Sequence, residues 1–242
     1  MRIQENNFFL PSDYRISSQI NVTASQNEQY WSPANIRMSS FYQYHVYLRA
    51  KSLIIENGLQ SAVDIGCGPA LKLEKLIAPV CRDVVGLDHP NIIERCKQRF
   101  GFAKFIQFIP YDIEKDAIPL NRTFDLVICV DVIEHLINPG QLLDAIRSVS
   151  NDRTFIILFT PDRDTLRGKV CLHSPNAAHI REWSMEEFSC YVSSRGLSIL
   201  EHRLVPQMKL NLTREYFRET TRQLLSLRSP FSCQMVICKK RI

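Results

Sequence analysis

A glycine-bearing turn and three acids at the ends of apolar runs are the residues in this chain best suited to chemistry. The turn is Val63-Asp64-Ile65-Gly66-Cys67-Gly68-Pro69. It follows an apolar run and opens a helical pattern. Glycines there let the backbone approach a ligand closely, and a helix start favours negative charge. Alone the turn is weak: Leu71 stands where the third glycine of a dinucleotide fingerprint belongs. Asp88 closes the next apolar run, where a carboxylate can accept both ribose hydroxyls of a nucleoside. Asp112 follows a third run in Tyr111-Asp112-Ile113, placed to meet an adenine amino group. Asp131 follows a fourth, in Cys129-Val130-Asp131-Val132-Ile133-Glu134-His135-Leu136. Singly, each strand-end Asp is a turn or helix cap more often than a ligand. All four motifs, however, end strands on the same sheet edge, where open α/β sheets bind ligands.

The elements that must hold these residues follow from periodicity. Residues 1–37 are polar and rich in Asn, Gln and Ser, and read as a loose arm or cap. Over 38–56 the pattern is helical, with Phe41, Tyr44 and Leu48 on one side and Gly58 as its cap. Strands are expected at 62–65, 84–87, 105–109, 124–130 and 154–159, and helices at 71–77, 90–100 and 140–150. A polar loop fills 160–182. Ser184 and Glu187 then form a capping box, with Trp183 and Phe188 at staple positions, and Gly196 stops the helix. Runs 197–205 and 231–238 read as two last strands around a helical segment, 212–228. Alternating strands and helices imply an α/β fold with a parallel sheet and right-handed crossovers.

Composition removes other classes. Hydrophobic residues make up 45% and charged residues 23%, an ordinary globular mix. Apolar stretches such as Phe155 to Phe159 are far shorter than a membrane span, so none is expected. The eight cysteines form no C-x-x-C pair, and the first residues hold no apolar core of the signal-peptide kind. Reduced thiols in a cytoplasmic protein are expected, with Cys67 and Cys129 as small buried residues. The N-x-S/T patterns at Asn21, Asn121 and Asn211 then carry no glycan. The six histidines show no metal-ligand spacing, so no metal is expected. The net charge of +5 is uneven: residues 201–242 hold nine Lys/Arg against three Asp/Glu.

Four segments together resemble the class I S-adenosylmethionine-dependent methyltransferases: 63–69, 84–90 (Val84-Val85-Gly86-Leu87-Asp88-His89-Pro90), 111–115 and 124–136. The last is similar to the acid-and-histidine motif of the ubiquinone-biosynthesis type. One departure is Ala70, where many members carry another glycine. The resemblance implies a Rossmann-like, seven-stranded, mostly parallel sheet with helices on both faces and the last strand antiparallel. It implies S-adenosylmethionine as cofactor. Asp64 would organise the loop near the methionine amino group, with Gly66, Cys67 and Gly68 admitting the amino-acid part. Asp88 and His89 would hold the ribose side, Asp112 and Ile113 the adenine, and Val130 the methionine side. Residues 38–242 would form the methyltransferase domain, with 160–183 as its active-site loop.

Methyl transfer is a displacement at an activated carbon. The protein aligns the partners and excludes water, and a hydroxyl acceptor also benefits from a base. His179 is the first candidate base, His135 the second and His173 the third. The loop pieces Thr160-Pro161-Asp162-Arg163 and Asn176 through Trp183 resemble those of methyltransferases of glycan biosynthesis. O-methylation of a small molecule or glycan is therefore expected. N- or C-methylation is the nearest rival and RNA methylation a further one. No RNA-binding module is visible, so nucleic acid is disfavoured as partner. A nicotinamide oxidoreductase fits the incomplete glycine fingerprint poorly. Arg214, Arg218 and Arg222 would form a basic stripe on one helix face, a solvated surface or a seat for an anionic acceptor.

Overall fold

The computed structural model describes residues 8–16, 32–100, 105–209, 217, 221 and 231–241. Two short helices lead in: α1 (Pro33–Ser39) and α2 (Tyr44–Asn57). The alternating body follows as β1 (Ser61–Ile65), a π-helical turn (Leu73–Ile77), β2 (Asp83–Asp88), α3 (Pro90–Phe100), β3 (Gln107–Pro110) and β4 (Leu126–Val130). A single 3₁₀ turn (Ile133–His135) precedes α4 (Pro139–Ser148) and β5 (Phe155–Pro161). Then come α5 (Arg163–Arg167), α6 (Met185–Ser194), β6 (Leu197–Val205) and β7 (Cys233–Lys240).

The strands form one seven-stranded sheet in the order β3-β2-β1-β4-β5-β7-β6. All pairings are parallel except those of β7, which runs antiparallel to both β5 and β6. All five residues of β4 are buried, as befits a central strand covered on both faces. Period-two alternation then divides the core. Val63, Ile65, Val127 and Cys129 pack against Leu142, Ile146, Phe188 and Tyr191 on one face. Ala62, Leu126 and Ile128 pack against Val46, Ala50, Ile54, Ile77 and Ile93 on the other. Helices therefore cover both faces of the sheet. Strand order reverses between β1 and β4, which opens a crevice at their carboxyl ends.

Local chemistry explains most boundaries. Gly58 ends α2 in a left-handed conformation at φ 63°. Ser184 and Glu187 form the reciprocal capping box of α6, and Trp183 packs on Phe188 at 5.6 Å between ring centroids. Three places differ from the periodicity. The helix over 38–56 is two helices, broken at Gln43 (φ 54°), whose N–H donates to the Gln207 carbonyl rather than to its own helix. The loop over 160–182 contains α5, capped by the Asp162 carboxylate on the Thr165 N–H at 2.9 Å. The arm over 1–37 is not loose throughout: Leu10 and Tyr14 are in the core, and the Tyr14 hydroxyl accepts from the Glu182 N–H at 2.8 Å. Polar composition hid these few apolar anchors. The helical segment 212–228 with the arginine stripe at 214, 218 and 222 lies outside the described residues.

Candidate active site

At the carboxyl ends of β1, β2 and β4 lies a cavity of about 590 Å³, in the range of small-molecule and cofactor sites. Gly66, Cys67, Gly68, Asp88, His89, Asp112, Ile113 and Val130 all line it, as do His135 and His179. Asp64 stands behind that lining, fully buried.

The glycine turn is shaped for close approach. Gly66 has φ 83°, and a Cβ there would meet Val132 Cγ2 at 2.3 Å. Ala70, the departure from the glycine pattern, keeps φ 55°. Asp88 locks the turn: its carboxylate accepts from the Gly68 N–H at 2.8 Å and the His89 N–H at 2.7 Å. A carboxylate offers about four lone-pair sites, so room remains for two hydroxyls. Burial raises the Asp88 carboxyl above its ordinary value.

Asp64 accepts from the Tyr47 hydroxyl at 2.7 Å, while its second oxygen is buried without a partner. Burial pushes its pKa up to about 7. Such an orphan acceptor is costly unless a ligand donor meets it, and the ammonium of an amino-acid ligand would be such a donor. The fit to S-adenosylmethionine therefore rests on this acceptor, the glycine cradle and the Asp88 carboxylate. Asp112 is held in its own turn by the Glu114 N–H at 3.2 Å and by Lys115 Nζ at 2.8 Å. Burial alone would raise its carboxyl, but Lys115, the Glu114 N–H and His89 together outweigh this and lower it. Contact with Cys96 and burial raise the Cys67 thiol well above its ordinary value.

The other wall is built by the segment after β4 and by the 160–183 loop. Asp131 is held at φ 54°, and its carboxylate accepts from Gln43 Nε2. Burial, with the Glu134 charge beside it, raises it to about 7. His135 Nδ1 donates to the Ala178 carbonyl at 2.7 Å, which leaves the lone pair on Nε2. His179 Nδ1 lies 2.7 Å from Glu182 Oε1, and its Nε2 lies 2.9 Å from Asn176 Nδ2. Arg167 donates Nε and Nη2 to the two Glu182 oxygens, both at 3.0 Å. Burial works to lower His179, yet Glu182 and the nearby acids raise it above the ordinary value. His135 is lowered, first by burial and then by His179.

Two arginines hold this wall in place. Arg163 makes a bidentate pair with Glu187 at 2.7 and 2.8 Å. Arg181 donates to the carbonyls of Leu136 and Ile137, both at 3.0 Å, and lies over the Phe8 ring. His173 does not line the cavity. Glu134, His135 and His179 each present a donor atom within 4.8 Å of the others. That grouping could hold a divalent cation, and chain spacing hides it. In the present arrangement, though, both His179 nitrogens are already engaged, by Glu182 and Asn176.

Gln43, Tyr47 and Lys72 line the cavity without a signal in the sequence. Asn176 and Glu182 fall in the loop expected to cover the acceptor, Asn176 on the lining and Glu182 behind it on His179.

A methyltransferase-domain family model matches residues 26–202. The ubiquinone biosynthesis O-methyltransferase of Colwellia psychrerythraea is 26% identical over 110 residues, 43% of this chain and 44% of that protein. The match thus spans less than half of that relative's length. An S-adenosylmethionine-dependent methyltransferase from Clostridium acetobutylicum superposes with a TM-score of 0.59 at 14% identity, covering 86% of this chain and 95% of that one. The N-methyltransferase NodS from Bradyrhizobium japonicum, solved with S-adenosyl-L-homocysteine, superposes with a TM-score of 0.58 at 17% identity. It covers 89% of this chain and 94% of that one. With the family model spanning most of the chain, the chain belongs to the methyltransferase-domain family.

Proposed function

We propose that this enzyme methylates a hydroxyl of a small molecule or glycan, with His179 as the base. The observation that carries the reading is the His179–Glu182 pair at 2.7 Å on the cavity wall. Bound S-adenosylmethionine supplies a methyl already activated on a sulfonium. The chain's own work is to hold that ligand by Asp64, Asp88 and the glycine turn, to orient the acceptor, and to remove its proton. Glu182 fixes the His179 tautomer with the proton on Nδ1, so Nε2 is the accepting atom. Asn176 now occupies Nε2. An acceptor hydroxyl would take that place, with the Asn176 amide free to donate to it.

His135 is the alternative base, since it lines the cavity and its Nδ1 bond to Ala178 leaves the lone pair on Nε2. The acid limb of the rate separates the two. His179 is raised above 6.5 and His135 lowered below it, so a limb above 6.5 supports His179. Glu182→Gln should then move that limb downward. A limb below 6.5 that ignores Glu182→Gln assigns the base to His135. His179→Ala should cut turnover by about 100-fold or more with cofactor affinity nearly unchanged.

An amine acceptor is a second reading. It is supported by the likeness to an N-methyltransferase and by Asp131, an acid on the cavity lining that could face an ammonium. Methyl-labelled cofactor with fractionated extract (small molecules, glycans, lipids, RNA) identifies the acceptor. The carbon shift of the new methyl distinguishes oxygen from nitrogen, and an N-methyl product would overturn the hydroxyl reading.

A further inference from the structure

We infer that Lys72 is the seat of the cofactor's carboxylate, pairing with Asp64 to recognise the zwitterionic amino-acid end of the ligand; this rests on the cofactor reading above. The lysine comes from the segment just after the glycine turn, and it lines the cavity beside Gly66 and Gly68. Its ammonium has three N–H donors. One goes to the Ser39 carbonyl at 2.6 Å and one to Gln43 Oε1 at 3.1 Å. The third has no acceptor among the described residues. The Tyr47 ring lies 5.1 Å below the ammonium and fixes it from one side.

Charge balance points the same way. An amino-acid ligand needs an anion for its ammonium and a cation for its carboxylate. The anion is present as the buried, unpartnered oxygen of Asp64. A carboxylate brought beside Asp64 and Asp131 would be repelled unless a cation stood with it. Among the described residues that line the cavity, the lysine and arginine side chains are Lys72 and Arg167. Arg167 is committed to both oxygens of Glu182 on the acceptor wall. Lys72 is the cation at the glycine turn. Burial brings its pKa down to about 8, so an arriving carboxylate would also hold its charge.

A lysine that merely clamps Ser39 and Gln43 would look similar in the free protein, and ligand chemistry separates the two roles. Calorimetry would compare S-adenosylhomocysteine with its decarboxylated counterpart, which keeps the amine, and with 5′-methylthioadenosine, which lacks the whole amino-acid end. The wild-type chain should bind S-adenosylhomocysteine about 10- to 100-fold more tightly than the decarboxylated ligand, the scale of one charge-assisted contact. Lys72→Met should close that gap by weakening S-adenosylhomocysteine alone. Lys72→Arg should restore part of it. An equal loss for all three ligands would assign Lys72 to clamping and overturn the inference. So would a wild-type chain indifferent to the carboxylate, a result that needs no variant to fold. A chain that binds 5′-methylthioadenosine but shows no carboxylate gap sinks the Lys72 role and leaves the cofactor reading standing. A chain that binds none of the three sinks both.

Discussion

At the residue scale, the site divides into positions whose type and place were legible and positions that only the fold brings near. Asp88 belongs to the first kind: an acid closing the second strand is where a ribose would be held, and there it also accepts the Gly68 N–H of the glycine turn and the N–H of its neighbour His89. Asp88→Ala should therefore weaken S-adenosylhomocysteine binding by about 100-fold, two charge-assisted contacts at the lower end of their range. Calorimetry with unchanged affinity would break the assignment. Gly66 is legible for the same reason, and its requirement is steric. Alanine there must hold φ 83° and push Val132 Cγ2 away from 2.3 Å. We expect Gly66→Ala to cost about 3 kcal/mol in urea unfolding, from left-handed strain plus overpacking. A loss near zero would show that the turn relaxes and is no rigid cradle. Lys72, Gln43 and Tyr47 are of the second kind. Nothing in their local sequence separates them from an ordinary amphipathic helix face. Gln43 and Tyr47 become site residues because α2 crosses the sheet on the face that carries Asp64, and Lys72 because the π-helical turn it precedes packs on α2.

At the element scale, the loop between β5 and α6 is tied down by buried ion pairs despite its irregular backbone. The polar stretch was legible as a loop over the active site, and its capping box was legible in detail. The buried charges that stiffen it were not, because Arg163 finds Glu187 and Arg167 finds Glu182 only after the loop folds back. Glu182 makes this stiffness measurable. Burial would raise its carboxyl, but His179 and Arg167 outweigh that and bring it down to about 2. A depressed acid contributes stability above its unfolded value, and that stability is lost as pH falls through the folded value. Glu182 should thus contribute about 3 kcal/mol near neutrality, fading between roughly pH 4.5 and 2. His179, raised, acts oppositely: its share is present below about 6.5 and is lost as pH rises through its folded value. Urea midpoints across pH should show the acid-side loss in the wild type and a shallower one in Glu182→Gln. Parallel curves would place the acid lability elsewhere.

At the scale of the whole molecule, the order of elements was legible and the order of strands was not. Hydrophobic runs say that strands and helices alternate, and handedness does most of the rest. They do not say that β7 inserts between β5 and β6; the family resemblance implied only that the last strand is antiparallel, and its place in the sheet comes from the structure. The insertion matters because β7 pairs with Phe155–Pro161 along nearly its whole length and so fixes the strand from which the acceptor wall departs. Ligand binding should therefore be felt by the whole sheet. Asp64 on β1, Asp88 on β2 and Val130 on β4 belong to three neighbouring strands, and a ligand that binds only the native arrangement stabilises all of them together. At 100 times its dissociation constant, S-adenosylhomocysteine should add about 2.7 kcal/mol. For a chain of this size that is a rise of roughly 5–10 °C in Tm. NAD at the same concentration should give no rise, because the third fingerprint glycine is replaced by Leu71. Differential scanning calorimetry distinguishes the outcomes. One shifted transition means the cofactor edge and the acceptor wall unfold together. A split transition, with only the lower-melting part unmoved by ligand, would show that the wall after β5 melts independently of the sheet that binds the cofactor.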